Sequence, residues 1–190
     1  MTPFFITGMP RCRTAWLANL FTTEHTLCLH EPRAPARELV ARYPGMRMGV
    51  SCSSLVFRYR KLADEFPESR WLLVHRDPGQ VLESLTRFVG RFMTRRQARE
   101  VVARHIEAQM QISSTAVRHV WFEDLSRLDM IRGAWGWLLP ELPFNELRVN
   151  ALQRLNVQCF SPDRLSEGEV GVIVSEFDTL LRRELCGQLS

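Results

Sequence analysis

Apolar and polar positions fall in blocks along this 190-residue chain, and the blocks have two different periods. Short, nearly continuous apolar runs predict strands at 3–7, 26–30, 47–51, 71–75 and 118–122. Between and after them apolar positions recur at helical spacing, which predicts helices near 14–21, 54–65, 78–93, 95–113, 125–138 and 167–185. Strands that are apolar throughout, alternating with amphipathic helices, imply a parallel sheet covered on both faces. The predicted fold class is therefore α/β: a three-layer sandwich with a mostly parallel central sheet of about five strands flanked by helices.

Several segments carry their own punctuation. Trp71-Leu72-Leu73-Val74 reads as a central buried strand. Asp77 is placed to cap the helix that follows, and Pro78 suits its first position. Val81, Leu82, Leu85, Phe88, Val89 and Phe92 then make one apolar stripe. The last predicted helix opens on a capping box, Ser166 to Glu169, ahead of Val170, Ile173, Val174, Phe177, Leu180 and Leu181. Residues 140–166 hold Pro140, Pro143 and Pro162 with weak periodicity, and read as a connection with a short helix near 146–154. No internal repeat or linker interrupts the pattern, so residues 1–190 are expected to form a single domain.

Composition narrows the class without choosing a function. A hydrophobic content of 45% and a charged content of 24% are ordinary for a soluble globular protein. No apolar run approaches the ~20 residues that span a bilayer. The N-terminus lacks the basic region and long apolar core of a signal peptide. The cysteines at 12, 28, 52, 159 and 186 are odd in number and form no C-x-x-C pair. That argues against a disulfide framework or a zinc site, and for a reducing, cytoplasmic setting. The net charge of +4 suits an anionic ligand without requiring one. Lys61 is the one lysine among the 25 basic residues, and GC-rich codon usage accounts for such an arginine bias. Nothing resembles a nucleic-acid-binding motif, and neither a nucleic-acid nor a membrane partner is expected.

The first stretch with chemistry is Gly8-Met9-Pro10-Arg11-Cys12-Arg13-Thr14-Ala15-Trp16, directly behind the apolar run Phe4-Phe5-Ile6. A strand that enters a tight loop and then a helix aims backbone N–H groups and a helix dipole at one spot, which suits an anion. The phosphate-loop pattern G-x-x-x-x-G-K-[ST] is absent, so arginine, hydroxyl and backbone must hold whatever binds. Pro10 fixes the backbone, Arg11 offers a planar cation, and Thr14 offers a hydroxyl or simply caps the turn. The second stretch is Arg76-Asp77-Pro78 followed by Ser84. Arg76 ends the central strand at its carboxyl edge, where doubly wound sheets bind ligands. Arg76 and Ser84 could grip one phosphate, or could be an arginine paired with Asp77 and a serine on a solvated face.

Taken together these stretches resemble the sulfotransferase family, which uses 3'-phosphoadenosine 5'-phosphosulfate (PAPS). The family loop P-[KR]-S-G-T-[TS]-W/L-L is similar to Pro10-Arg11-Cys12-Arg13-Thr14-Ala15-Trp16-Leu17. The family's R-[DN]-P-x-x-x-x-x-S is matched in spacing by Arg76-Asp77-Pro78 to Ser84, and Trp121-Phe122-Glu123-Asp124-Leu125 echoes Y-E-D-L. The resemblance implies a phosphate-loop-like sulfotransferase fold. It also implies donor binding by Pro10, Arg11, Cys12, Arg13, Thr14 and Ala15, with Arg76 and Ser84 on the 3'-phosphate. The reaction it implies is sulfuryl transfer to a hydroxyl or amine acceptor, with no metal. The acceptor and the oligomeric state stay unspecified. A glutamate in the family's carbohydrate branch points to Glu31 in Leu29-His30-Glu31-Pro32 as the base, with His30 as the other candidate. Pro32 is expected to hold residue 31 extended at the strand's end. Either residue could instead be an ordinary strand-end side chain.

Cys12, Arg13 and Ala15 stand where the family has serine, glycine and a second hydroxyl. They motivate an alternative: a catalytically impaired nucleotide- or partner-binding domain of the same fold, for which the basic stretch Arg91 to Arg99 would be a docking face or a solvated surface. A cysteine phosphatase would read Cys52 to Arg58 as C-x-x-x-x-x-R, but Ser53-Ser54-Leu55-Val56-Phe57 has no glycine and is too apolar to cradle phosphate. A nucleotide kinase lacks its loop lysine. His25, His75, His105 and His119 read as ordinary histidines.

Overall fold

The computed structural model describes residues 1–89 and 93–154. The predicted helix at 167–185 with its capping box, Cys159, Cys186, and the side chains of Phe88, Val89 and Phe92 lie outside the described residues. Five strands form one sheet: β1 (Phe4–Gly8), β2 (Thr26–His30), β3 (Arg47–Ser51), β4 (Arg70–His75) and β5 (Val117–Trp121). Their order is β2-β3-β1-β4-β5, and every pairing is parallel.

The helices are α1 (Thr14–Leu20), α2 (Ala36–Arg42), α3 (Tyr59–Glu65), α4 (Pro78–Val89), α5 (Arg95–Met110), α6 (Leu128–Leu138) and α7 (Glu146–Arg154). Two predicted helices begin differently from expectation. Residues Ser53–Arg58 wind as a 3-10 helix before α3, and Glu123–Ser126 do so before α6. Helix α2 has no counterpart among the predictions. The Asp77 cap is present, with Oδ1 accepting from the Gln80 N–H at 2.9 Å.

Strand pleating explains the two cores. Phe4, Ile6, Leu72, Val74 and Val120 face one cluster with Leu17, Leu20, Phe21, Val81 and Trp135. Phe5, Leu27, Leu29, Trp71 and Leu73 face the other, with Leu39, Leu55 and Leu62. Alternate residues of one strand thus bury against opposite helical layers, which is why the strands read as continuous apolar runs. Phe5 stacks on Trp71 at 4.4 Å between ring centroids.

This architecture positions the opening loop. Strands β1 and β4 are neighbours, and the chain leaves β1 toward β2 but leaves β4 toward β5. Their outgoing loops therefore flank a crevice at the carboxyl edge. Helix α1 is held from behind by Arg148 of α7, whose guanidinium donates to the carbonyls of Asn19 (3.4 Å) and Thr22. A cation on those carbonyls completes the C-terminal end of the helix dipole.

Candidate functional site

Gly8 closes β1 against β4, and a Cβ built there would lie 2.3 Å from the Val74 carbonyl oxygen. The loop beyond it is backbone-strained. Arg11 and Arg13 have φ of 66° and 60°, the left-handed region that disfavours side chains. Arg13 occupies the N-cap of α1 and supplies no side-chain cap, so Thr14 is the first helical residue and not its cap. The Thr14 hydroxyl is instead 3.2 Å from His30 Nε2, and its carbonyl accepts from Ser51 Oγ at 2.7 Å.

The two motif arginines meet across the crevice. Arg76 donates through Nη1 to the Arg11 carbonyl at 2.6 Å, and Arg11 donates through Nε to Ser84 Oγ at 3.4 Å. Arg11 thus stands between Arg76 and Ser84, and no hydrogen bond joins those two directly. The Arg76 guanidinium lies over the Phe122 ring at 3.9 Å, with the Arg13 guanidinium over the same ring at 4.9 Å. Neither arginine forms an ion pair with a carboxylate among the described residues, so Asp77 does not pair with Arg76. Two guanidiniums with no carboxylate ion pair among the described residues, one of them with a buried Nε lacking an acceptor (Arg76), make the crevice fit for an anion.

At the end of β2, His30 Nε2 lies 3.9 Å from Glu31 Oε1. Burial lowers the His30 pKa below its ordinary 6.5, and the Glu31 carboxylate opposes that shift in part. Glu31 corrects the expectation of an extended approach, because its φ is 49°. Its N–H still donates to the Ser51 carbonyl at 3.0 Å, extending the sheet ladder by one residue. A following proline favours extended backbone, but residue 31 takes a positive φ instead. Among the described residues the three non-glycine residues of positive φ, Arg11, Arg13 and Glu31, thus follow the carboxyl ends of β1 and β2. Such strain clusters at functional sites.

Comparison with solved structures bears on the fold. Mouse sulfotransferase SULT7A1, solved complexed with PAP, matches with a TM-score of 0.55 at 12% identity. That match covers 80% of this chain and 63% of the mouse one, so this chain spans less than two thirds of its length. A sulfotransferase from Alicyclobacillus acidocaldarius matches at 0.53 and 13% identity, over 97% of this chain and 96% of its own. The sulfotransferase domain of the curacin biosynthetic pathway matches at 0.57 and 11%, over 87% and 86%. The chain has the sulfotransferase fold. No protein-family model matches the sequence, and no curated protein does.

Within this sulfotransferase fold, several side chains depart from what the sequence suggests. Cys12 is 0% exposed and points into the core among the residues around Leu17 and Val74. Burial pushes its thiol pKa up to about 12, with the nearby Arg76 charge opposing. Its Sγ donates to the Pro10 carbonyl within the loop at 3.8 Å and so is not turned toward a ligand. The segment after Cys52 is a 3-10 helix with Leu55 and Val56 buried, which is no phosphate cradle. His75 and His119 do not stay scattered: Nε2 of one lies 2.8 Å from Nδ1 of the other. Their pairing depends on β4 lying beside β5, which no local signal reveals. Phe122 was visible only as part of a motif echo, and its role under the arginines needed the fold. Among the described residues no group of three His, Cys, Asp or Glu is arranged to hold a metal ion, and no helix is long and apolar enough to cross a membrane.

The Cys12 environment makes a chemical prediction. At pH 8 a thiol with its pKa near 12 is ionised to about one part in 10⁴, and alkylation requires thiolate. In native protein treated with iodoacetamide, Cys12 should stay unmodified while the partly exposed Cys52 reacts. Peptide mapping by mass spectrometry, with a urea-unfolded control, reads the result. Equal labelling of the two cysteines would contradict the burial of Cys12.

Proposed function

We propose that this chain transfers a sulfuryl group from PAPS to a hydroxyl or amine acceptor. The observation that carries the reading is the junction of the two motifs, in which Arg76 holds the Arg11 carbonyl and Arg11 reaches Ser84. Segments 65 and 73 residues apart in sequence thereby build one cationic crevice on a sulfotransferase fold. A matching fold solved with PAP supports the same class of ligand.

On this reading Arg11, Thr14 and the loop amides hold the 5' end of the donor, while Arg76 and Ser84 hold the 3'-phosphate. When bound, PAPS supplies the sulfuryl group and a phosphate leaving group. The arginines neutralise charge and fix orientation, which is where catalysis of such transfers resides. Glu31, exposed at the carboxyl edge, takes the acceptor's proton. His30, its pKa lowered by burial, meets the Thr14 hydroxyl at Nε2 and lies beside Glu31.

Calorimetric titration with 3'-phosphoadenosine 5'-phosphate, AMP and ATP tests the donor assignment. The first should bind at least tenfold tighter than the others. Arg76→Ala should weaken it about 10- to 100-fold, the value of a charge-assisted hydrogen bond of about 1.5–3 kcal/mol. Equal affinity for AMP would remove Arg76 and Ser84 from the 3'-phosphate. The buried Cys12 thiol favours one other reading, a domain that binds the nucleotide without turnover. Tight product binding with no labelled sulfate reaching any acceptor would select it.

A further inference from the structure

We infer that Phe122 is a positioning residue that holds Arg13 and Arg76 as a pair, and that Arg13 thereby replaces the donors this loop lacks. The inference rests on the donor-binding reading above. It starts from an exchange along the loop. A hydroxyl is missing at Ala15, and the Cys12 side chain is turned into the core, but a guanidinium stands at position 13. That guanidinium is not left to solvent. It lies over Phe122 at 4.9 Å and over Trp16 at 6.0 Å, and its Nη1 donates to the Leu125 carbonyl at 3.1 Å.

Phe122 is itself fixed. Its N–H donates to the His75 carbonyl at 2.8 Å, one residue before Arg76. The ring is therefore tied to the strand end that carries Arg76, and Arg76 lies over it at 3.9 Å. The negative face of an aromatic ring attracts a guanidinium, and a planar cation stacks on it well. One ring thus holds two cations that would otherwise repel. Burial lowers the Arg13 pKa, the Arg76 charge lowers it further, and the Glu123 carboxylate opposes both in part. Phosphates bound at the loop and at Arg76 relieve that repulsion, so the pair favours a nucleotide with both a 5'- and a 3'-phosphate. Arg13 is also kept in the left-handed region at φ 60°, a conformation glycine would adopt without strain. A side chain retained there against that strain is expected to have a use.

The test is a double-mutant cycle read by calorimetry with 3'-phosphoadenosine 5'-phosphate. Arg13→Gln and Phe122→Leu should each weaken binding about tenfold, and together little more than either alone, because the ring acts mainly through Arg13 while Arg76 keeps its bond to the Arg11 carbonyl. Phe122→Tyr, which keeps the ring, should stay within about threefold of the parent. Thermal melts without ligand separate a folding defect from a binding one, and Arg13→Gln leaves the ring in place if Phe122→Leu unfolds. Additive losses, or an unchanged affinity in Arg13→Gln, would overturn the inference. An unmodified protein that does not prefer this nucleotide over AMP would instead overturn the donor-binding reading beneath it.

Discussion

Replacing Gly8 by alanine should cost about 3 kcal/mol and loosen the opening loop, with no charged or catalytic group touched. The reason is local and steric. Gly8 pairs with Val74 in the β1–β4 ladder, and the new Cβ would meet the Val74 carbonyl oxygen at 2.3 Å. That atom is backbone, in a strand whose residues Leu72, Leu73 and Val74 are fully buried, so no flexible side chain can move aside. Relief requires β1 and β4 to part at their carboxyl ends, where Met9 to Arg13 begin and where Arg76 leaves. In a domain of this size a loss of 3 kcal/mol lowers the melting temperature by about 6–12 °C. Gly136→Ala is the control. Gly136 is exposed in α6 with nothing within 4 Å of the new Cβ, and alanine there should stabilise by up to about 1 kcal/mol. A Gly8→Ala melt within 2 °C of the parent, roughly the effect of a minor core change, would show that β1 and β4 are not this close.

The same close pairing explains which parts of the molecule could be read from the chain. All five strands fall within a residue of the predicted ranges, because a sheet buried on both faces writes itself as short apolar runs. Helix α2 was not legible. Its sequence, Ala36 to Arg42, is only seven residues long, and only Ala36 and Leu39 are buried. The 3-10 segment at Ser53–Arg58 overlaps the start of the helix predicted at 54–65. Its hydrogen-bond pattern has no signature in apolar spacing.

The candidate site divides along a similar line. Residues that act through local chemistry, such as the Asp77 cap and the Arg76 strand end, were visible in the sequence. Contacts that depend on strand order were not. That Arg11 and not Arg76 would touch Ser84 follows from where the β1 loop passes the start of α4. Phe122 reaches both guanidiniums only because β5 lies beside β4. The strain at Arg13 was foreshadowed by glycine in the resembling motif, but the left-handed turns at Arg11 and Glu31 were not.

Glu31 carries the second large effect, and its strain sets the sign of two measurements in opposite directions. Its side chain is 56% exposed, and His30 lies within ion-pair distance of it, at 3.9 Å. Its backbone sits at φ 49°, where asparagine is tolerated much better than glutamate. Glu31→Asn should therefore fold as well as the parent or gain up to about 1 kcal/mol, since it removes strain and breaks no buried contact. If Glu31 is the base that accepts the acceptor's proton, the same change should lower the rate of labelled sulfuryl transfer about 10²- to 10⁴-fold. Binding of 3'-phosphoadenosine 5'-phosphate should not change, because the donor's phosphates are assigned to Arg11, Arg76 and Ser84. His30→Gln separates the two base candidates. As a residue that only orients Glu31 and Thr14 it should cost about tenfold or less, whereas as the base it should match or exceed the loss at Glu31. Gain of stability together with loss of turnover identifies a strained catalytic position, in which local stability has been given up for placement of one group. Full turnover in Glu31→Asn would leave the left-handed turn at residue 31 as a feature of the β2 exit alone and would move the search for the base to His30.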